Sequence, residues 1–149
     1  MSEVVFRDAT RADVPAIVAL LADDPLGRGR EGADLQAYLD AFEEVLANPM
    51  HQLIVGEDDG RVVACCQLTI LSGLSRGGRR RALVEAVRVS ADLRSQGIGA
   101  LLMAECEARA RAAHCTIIQL TTDRSRLDAH RFYERLGYSA SHLGMKKPL

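Results

Sequence analysis

Arg94-Ser95-Gln96-Gly97-Ile98-Gly99 is the stretch whose residue types and spacing point most directly to chemistry. Its two glycines let the backbone turn tightly and leave successive N–H groups uncovered by side chains. Ala100-Leu101-Leu102-Met103 follows at once, and Gly99, Leu102, Met103, Cys106, Ala110 and Ala113 recur at helical spacing. The first N–H groups of a helix have no internal partner and lie at the positive end of its dipole. Such a turn is a site for an anion, most naturally a pyrophosphate. A Walker loop would end in Gly-Lys-Ser or Gly-Lys-Thr, and the dinucleotide fingerprint would need a third glycine where Leu102 stands. What remains is Arg-x-x-Gly-x-Gly after a Val-x-Val strand.

The other reactive side chains offer less. Cys65 and Cys66 are adjacent in an expected strand and point to opposite faces, Cys106 sits on the apolar helix face, and Cys115 starts another strand. No Cys-x-x-Cys or His-x-x-x-His spacing occurs, so no metal site is expected and the thiols read as small buried hydrophobes. His130 and His142 read as bystanders. Arg76, Arg79, Arg80 and Arg81 cluster in an expected loop from Leu74 to Arg81. With three tyrosines, three phenylalanines and a net charge of −1, that cluster lacks the stacking aromatics and global field of a nucleic-acid surface. It reads as a solvated loop at a subunit contact or a substrate mouth.

The elements that must position the turn follow from periodicity. Val4 to Arg7 reads as a first strand. Thr10-x-x-Asp13 starts a helix whose face is Val14, Ile17, Val18 and Leu21, with Pro15 tolerated only in its first turn. Asp23 to Arg30 is a loop by composition. A second helix carries Leu35, Tyr38, Leu39, Phe42, Val45 and Leu46 and ends before Asn48-Pro49. Leu53 to Val55 and Val62 to Leu71 form strands joined through Asp58-Asp59-Gly60. Leu83 to Val89 is the central strand, then come the glycine turn and the main helix. On that helix Glu105–Arg109 and Glu107–Arg111 are favourable (i, i+4) pairs. Thr116 to Thr121 is a fifth strand, a short helix presents Ala129, Phe132, Tyr133 and Leu136 before Gly137, and Tyr138 to Met145 is expected to close as a sixth strand.

The order β-α-α-β-β-β-α-β-α-β describes an α/β (α+β) domain with a mixed, mostly antiparallel sheet. At 149 residues, 48% hydrophobic and 26% charged, the chain is expected to form one globular domain, residues 1–149. No apolar run reaches the roughly 18 residues of a membrane span, and no leader pattern opens the chain, so a cytoplasmic protein without membrane or nucleic-acid partners is expected. A homodimer is the commonest oligomer and stays open here.

Arg94-x-x-Gly97-x-Gly99 resembles the acetyl-CoA signature of the GNAT superfamily of N-acetyltransferases. Ala129-His-Arg-Phe-Tyr133-Glu-Arg-Leu-Gly137-Tyr138 resembles a second block of the same superfamily, in the right order. The two together cover about the last 65 residues; the first half is similar in pattern alone. The resemblance implies a GNAT fold and acetyl-CoA as co-substrate. The backbone of Val87 and Val89, with Arg88 between them, would pair with the pantetheine arm as an added strand. Arg94, Ser95, Gln96, Gly97, Ile98, Gly99 and Ala100 would hold the pyrophosphate, and the Val87 N–H would stabilise the oxyanion of a tetrahedral intermediate.

The resemblance implies direct transfer to a primary amine of a small molecule or peptide. An amine of lysine type has a pKa of about 10.4 and must lose a proton before attack. Glu85, two residues before Val87 and so expected on its face, is either the base or a substrate-positioning carboxylate. Tyr133 matches the general acid that serves the departing thiolate. Many members carry an asparagine after the fifth strand; Thr121 to Arg126 stands there, with Asp123 and Arg126 as the candidate contacts. Asp23, Asp24 and Leu26 are candidates to line the acceptor pocket, the two carboxylates favouring a cationic amine. The rival reading is a CoA-binding sensor without turnover.

Overall fold

The computed structural model describes residues 3–149. Five strands form one sheet in chain order: β1 (Val5–Asp8), β2 (His51–Asp58), β3 (Arg61–Leu71), β4 (Arg80–Val89) and β5 (Cys115–Leu120). The first four pair antiparallel; β4 and β5 run parallel. The helices are α1 (Val14–Ala22), α2 (Pro25–Arg30), α3 (Leu35–Ala47), a single irregular turn α4 (Ser75–Gly78), α5 (Ile98–Ala112) and α6 (Leu127–Arg135).

The sheet separates two cores, as alternation along a doubly covered strand requires. On one face Ile54, Cys66, Leu68, Ala82 and Val84 pack with Leu102, Met103 and Cys106 of α5, and α6 adds Phe132 and Tyr133. On the other, Val55 and Cys65 pack with Val14, Ile17 and Leu20 of α1 and Phe42 of α3. The adjacent cysteines thus do point to opposite faces. The β2–β3 turn is a two-residue loop with Asp59 and Gly60 at φ 49° and 82°, the geometry that a twisted hairpin favours. Both (i, i+4) pairs of α5 form, Glu105–Arg109 at 2.8 Å and Glu107–Arg111 at 3.7 Å.

Three local expectations are corrected. Residues 25–30, expected as loop, form α2: Pro25 pre-sets its first turn, and the Asp24 carboxylate accepts from the Gly27 N–H at its N-terminus. The expected closing strand Tyr138 to Met145 is not a strand; Leu143 and Met145 are exposed, and the segment has no sheet partner. The arginine loop ends earlier than its composition implied, since Arg80 and Arg81 already belong to β4 opposite Cys115 and Ile117.

Candidate active site

β4 and β5 are paired only from Arg80 to Val84. β5 stops at Leu120 while β4 runs on to Val89, so the two parallel strands part and leave one edge of residues 85–89 unpaired. Ser90 donates its N–H to Val63 across β3, so alternation turns the N–H and C=O groups of Val87 and Val89 to that open edge. Their carbonyls accept there from Arg88 Nη1 at 2.9 Å and Arg94 Nε at 3.4 Å. An unpaired strand edge within a fold is a template for an extended ligand.

A bulge in β4 aims the side chains. Gln67 opposes Glu85 and Cys65 opposes Arg88, so two steps along β3 match three along β4, with the extra residue at Ala86, φ 55°. The shared face expected for Glu85 and Val87 is therefore wrong. Val87 and Val89 turn to the α5 core with Val84, while Glu85 and Arg88 share the opposite face, toward α1 and α2. Glu85 is exposed there.

The glycine turn sits at the mouth of the gap. Gly97 adopts φ 83° at the N-terminus of α5, and Ser95 before it has φ 66°. Leu101 donates to the Gly97 carbonyl in the first helical hydrogen bond, so the N–H groups of Ile98, Gly99 and Ala100 precede the ladder. No acidic residue occupies the first turn of α5. The two glycines serve different ends: a Cβ on Gly97 would meet nothing within 4 Å, whereas one on Gly99 would lie 3.1 Å from the Phe132 ring. Gly97 supplies conformation and Gly99 supplies room for α6. Arg94 reaches from the turn to the Asp23 carbonyl at 3.1 Å, tying the end of α1 to the site.

Tyr133 stands on α6 against the α5 core, edge-on to Phe132 and Tyr138 with ring centroids at 5.0 and 5.8 Å. Burial pushes its pKa above the ordinary tyrosine value, and the charges of Arg126 and Arg88 oppose that rise only in part. The phenol is therefore protonated at neutral pH, and both guanidiniums lie within electrostatic reach of it.

The Asp23-Asp24 pair is split by the fold. Asp23 is exposed and lines a separate cavity of about 830 Å³ between α1 and the β2–β3 turn, with Arg61 and Ser90. Asp24 is 8% exposed, with Arg88 Nε at 3.1 Å and Arg126 Nη2 at 3.9 Å from its Oδ2. Burial alone would raise its carboxyl pKa, but the Gly27 N–H and the charges of Arg88, Arg126 and Arg30 hold it below the usual range. So the pair does not present two free carboxylates to one space; Asp24 is engaged by the cations Arg88 and Arg126. Leu26 is half-buried in α2.

Asp123 faces its own turn. Its Oδ1 accepts from the Ser125 N–H and hydroxyl at 2.9 and 2.7 Å, and these bonds lower its pKa. His130 Nε2 lies 2.9 Å from the Asp123 carbonyl, which fixes the loop before α6. Cys65 and Cys66 are 1% and 0% exposed, and burial pushes the Cys65 thiol up to about 12, so neither is placed to be a nucleophile. Among the described residues no group of three His, Cys, Asp or Glu side chains is placed to hold a metal. Sequence reasoning missed Arg30 and Phe132 as site-forming residues. The spacing of Phe132 to Tyr133 signalled a packed face, and only the folded α6 shows which glycine it rests on.

Comparison with known proteins agrees with this geometry. Residues 15–138 match the Acetyltransferase (GNAT) family. An aminoalkylphosphonate N-acetyltransferase of Salmonella typhimurium is 33% identical over 143 residues, covering 96% of this chain and 90% of that protein. A crystal structure from Bacillus halodurans, described as a transcriptional regulator, is 41% identical with TM-score 0.95 over 99% of this chain and 100% of its own. Glucosamine-6-phosphate N-acetyltransferase from Arabidopsis thaliana shares the fold at 19% identity, TM-score 0.82 and 98% coverage of both chains. The family match over residues 15–138, with a relative 33% identical across 96% of the chain, places the protein in the GNAT family of acetyltransferases, an acyltransferase enzyme.

Proposed function

We propose that the protein transfers the acetyl group of acetyl-CoA directly to the primary amine of a small molecule, within a ternary complex. The observation that carries this reading is the unpaired 85–89 edge of β4, flanked by the free N–H groups of α5 and by the protonated Tyr133. Acetyl-CoA supplies an acyl thioester, and the residues present fit it. Val87 and Val89 offer backbone groups to an extended arm, Gly97 to Ala100 offer N–H groups to a pyrophosphate, and Arg94 adds charge beside them. The Val87 N–H is a donor for the thioester carbonyl oxygen.

Glu85 lies on the α1–α2 face of β4, where it takes the proton of the incoming ammonium directly or through water. Tyr133 lies on the α5–α6 face and gives its phenolic proton to the sulfur as the C–S bond breaks; water resupplies it. The buried thiols support direct transfer over an acetyl-cysteine intermediate. The relative that acts on aminoalkylphosphonates makes such amines the first acceptors to try. Asp123 is committed to its turn, so it is a loop-shaping residue in this reading.

The test is calorimetric titration with acetyl-CoA, then thiol release with an amine panel. Micromolar binding weakened in Gly97→Glu, with release for some amine, is expected. A folded sample that binds no acetyl-CoA would contradict the proposal.

A further inference from the structure

We infer that Arg88 and Arg126, with Arg30 at the rim, form the subsite for a tetrahedral oxyanion, a phosphonate or phosphate ester, carried by the amine acceptor. The inference rests on the acetyltransferase reading and assigns Arg88 and Arg126 to the acceptor, not to CoA.

Three observations carry it. The first is the charge balance, in which three guanidiniums, Arg88, Arg126 and Arg30, stand beside two carboxylates, Asp24 and Asp123, leaving one positive charge in excess within the cluster. The second is unused hydrogen-bonding capacity. Arg88 Nε and Asp24 Oδ2 are buried without a hydrogen-bond partner despite their 3.1 Å approach. Arg126 and Arg30 stand 3.9 and 3.8 Å from the carboxylates of Asp24 and Asp123, too far for hydrogen bonds, and neither side chain donates one among the described residues. Such donors match the oxygens of a phosphonate, which guanidinium groups bind through paired charge-assisted bonds.

The third observation is position. The β4 bulge turns Arg88 away from the α5 core that Val87 and Val89 face and onto the side of α1 and α2, with Glu85. Arg88 and Arg126 also act on the Tyr133 phenol, so the cationic set adjoins the reacting groups and not only the pyrophosphate turn. Asp24 both caps α2 and stands 3.1 Å from Arg88 Nε, and so orders the Arg88 guanidinium beside Arg126.

The experiment titrates the protein saturated with CoA, which has no acetyl group to transfer, with 2-aminoethylphosphonate, O-phosphoethanolamine and n-butylamine. Arg126→Ala is then compared with the wild type; its side chain is 36% exposed, so the fold tolerates the change. The expected result is binding of one or both oxyanion amines in preference to n-butylamine, weakened about 10- to 100-fold in Arg126→Ala. The ranking of the two anionic probes then distinguishes phosphonate from phosphate ester. The double variant Asp24→Asn/Arg88→Gln removes the buried pair together and is expected to lose the same preference. Equal affinity for n-butylamine, no binding of either oxyanion amine, or a loss in Arg126→Ala matched by an equal loss of acetyl-CoA affinity would overturn the inference. The last outcome would place the guanidinium on the CoA phosphates. A protein that binds no acetyl-CoA would instead overturn the acetyltransferase reading itself.

Discussion

At the scale of single residues, Tyr133 is shaped by two opposing influences. Burial raises its pKa, and the nearby arginine charges lower it by less, so the phenol keeps its proton through the neutral range. If it serves only the departing thiolate, Tyr133→Phe should lower kcat about 100-fold or more and leave the dissociation constant for acetyl-CoA within about twofold. Stopped-flow thiol release and calorimetry measure the two quantities. The wild-type rate should show no Tyr133-dependent alkaline fall below about pH 10, the unperturbed value from which the phenol is shifted upward. Tyr133 was legible as a candidate from its place in the second motif, whereas its burial and its cationic neighbours were not. Those neighbours come from β4 and the loop before α6, and only folding brings them together.

At the scale of elements, the site depends on one bulge and two glycines. Reading β4 as a regular strand gave Glu85 and Val87 one face, because period-two alternation has no way to signal an inserted residue at Ala86. α2 was hidden for a related reason. Its Pro25, Gly27 and Gly29 carry turn chemistry by composition, and the helix forms because Asp24, held by Arg88, caps it. The glycine turn itself was legible, but its glycines are not equivalent. Gly97→Ala should cost about 1 kcal/mol through its left-handed φ, with no steric contact involved. Gly99→Ala should instead couple to Phe132: in a double-mutant cycle with Phe132→Leu, urea denaturation should report about 0.5 kcal/mol or more of interaction energy. Additive effects would show that the 3.1 Å approach is relieved without strain.

At the scale of the whole molecule, the N-terminal half is fastened to the sheet by charge as well as by its apolar core. Arg7 of β1 forms two bonds to Asp13 at 2.7 and 3.0 Å and one to Glu57 of β2 at 3.2 Å. The Arg7 bonds hold the Asp13 carboxyl at about 2, against its burial, which acts to raise it. A folded-state pKa below the unfolded one adds stability above the unfolded value of about 3.8 that is lost as pH falls toward about 2. Asp13→Asn should therefore cost about 2 kcal/mol near neutral pH, and the gap to wild type should close on acidification across that window. Urea melts at pH 7 and pH 3 test this, and a pH-independent gap would contradict it. The places of the five strands and of the longer helices were legible from periodicity, since each carries its own apolar face, whereas the order of the strands in the sheet and the two cores needed the fold. The missing sixth strand was not legible, because alternation in Tyr138 to Met145 reads as a strand whether or not the segment pairs with the free edge of β5.

The measurement that bears most directly on the whole account is steady-state thiol release with acetyl-CoA and 2-aminoethylphosphonate varied together, and the acetylated amine identified by mass. Amine-dependent release with intersecting reciprocal plots is the predicted result, as a ternary complex at the β4 edge requires. Acetyl-CoA binding without release for any amine tested, or parallel plots with an acetylated cysteine, would contradict it.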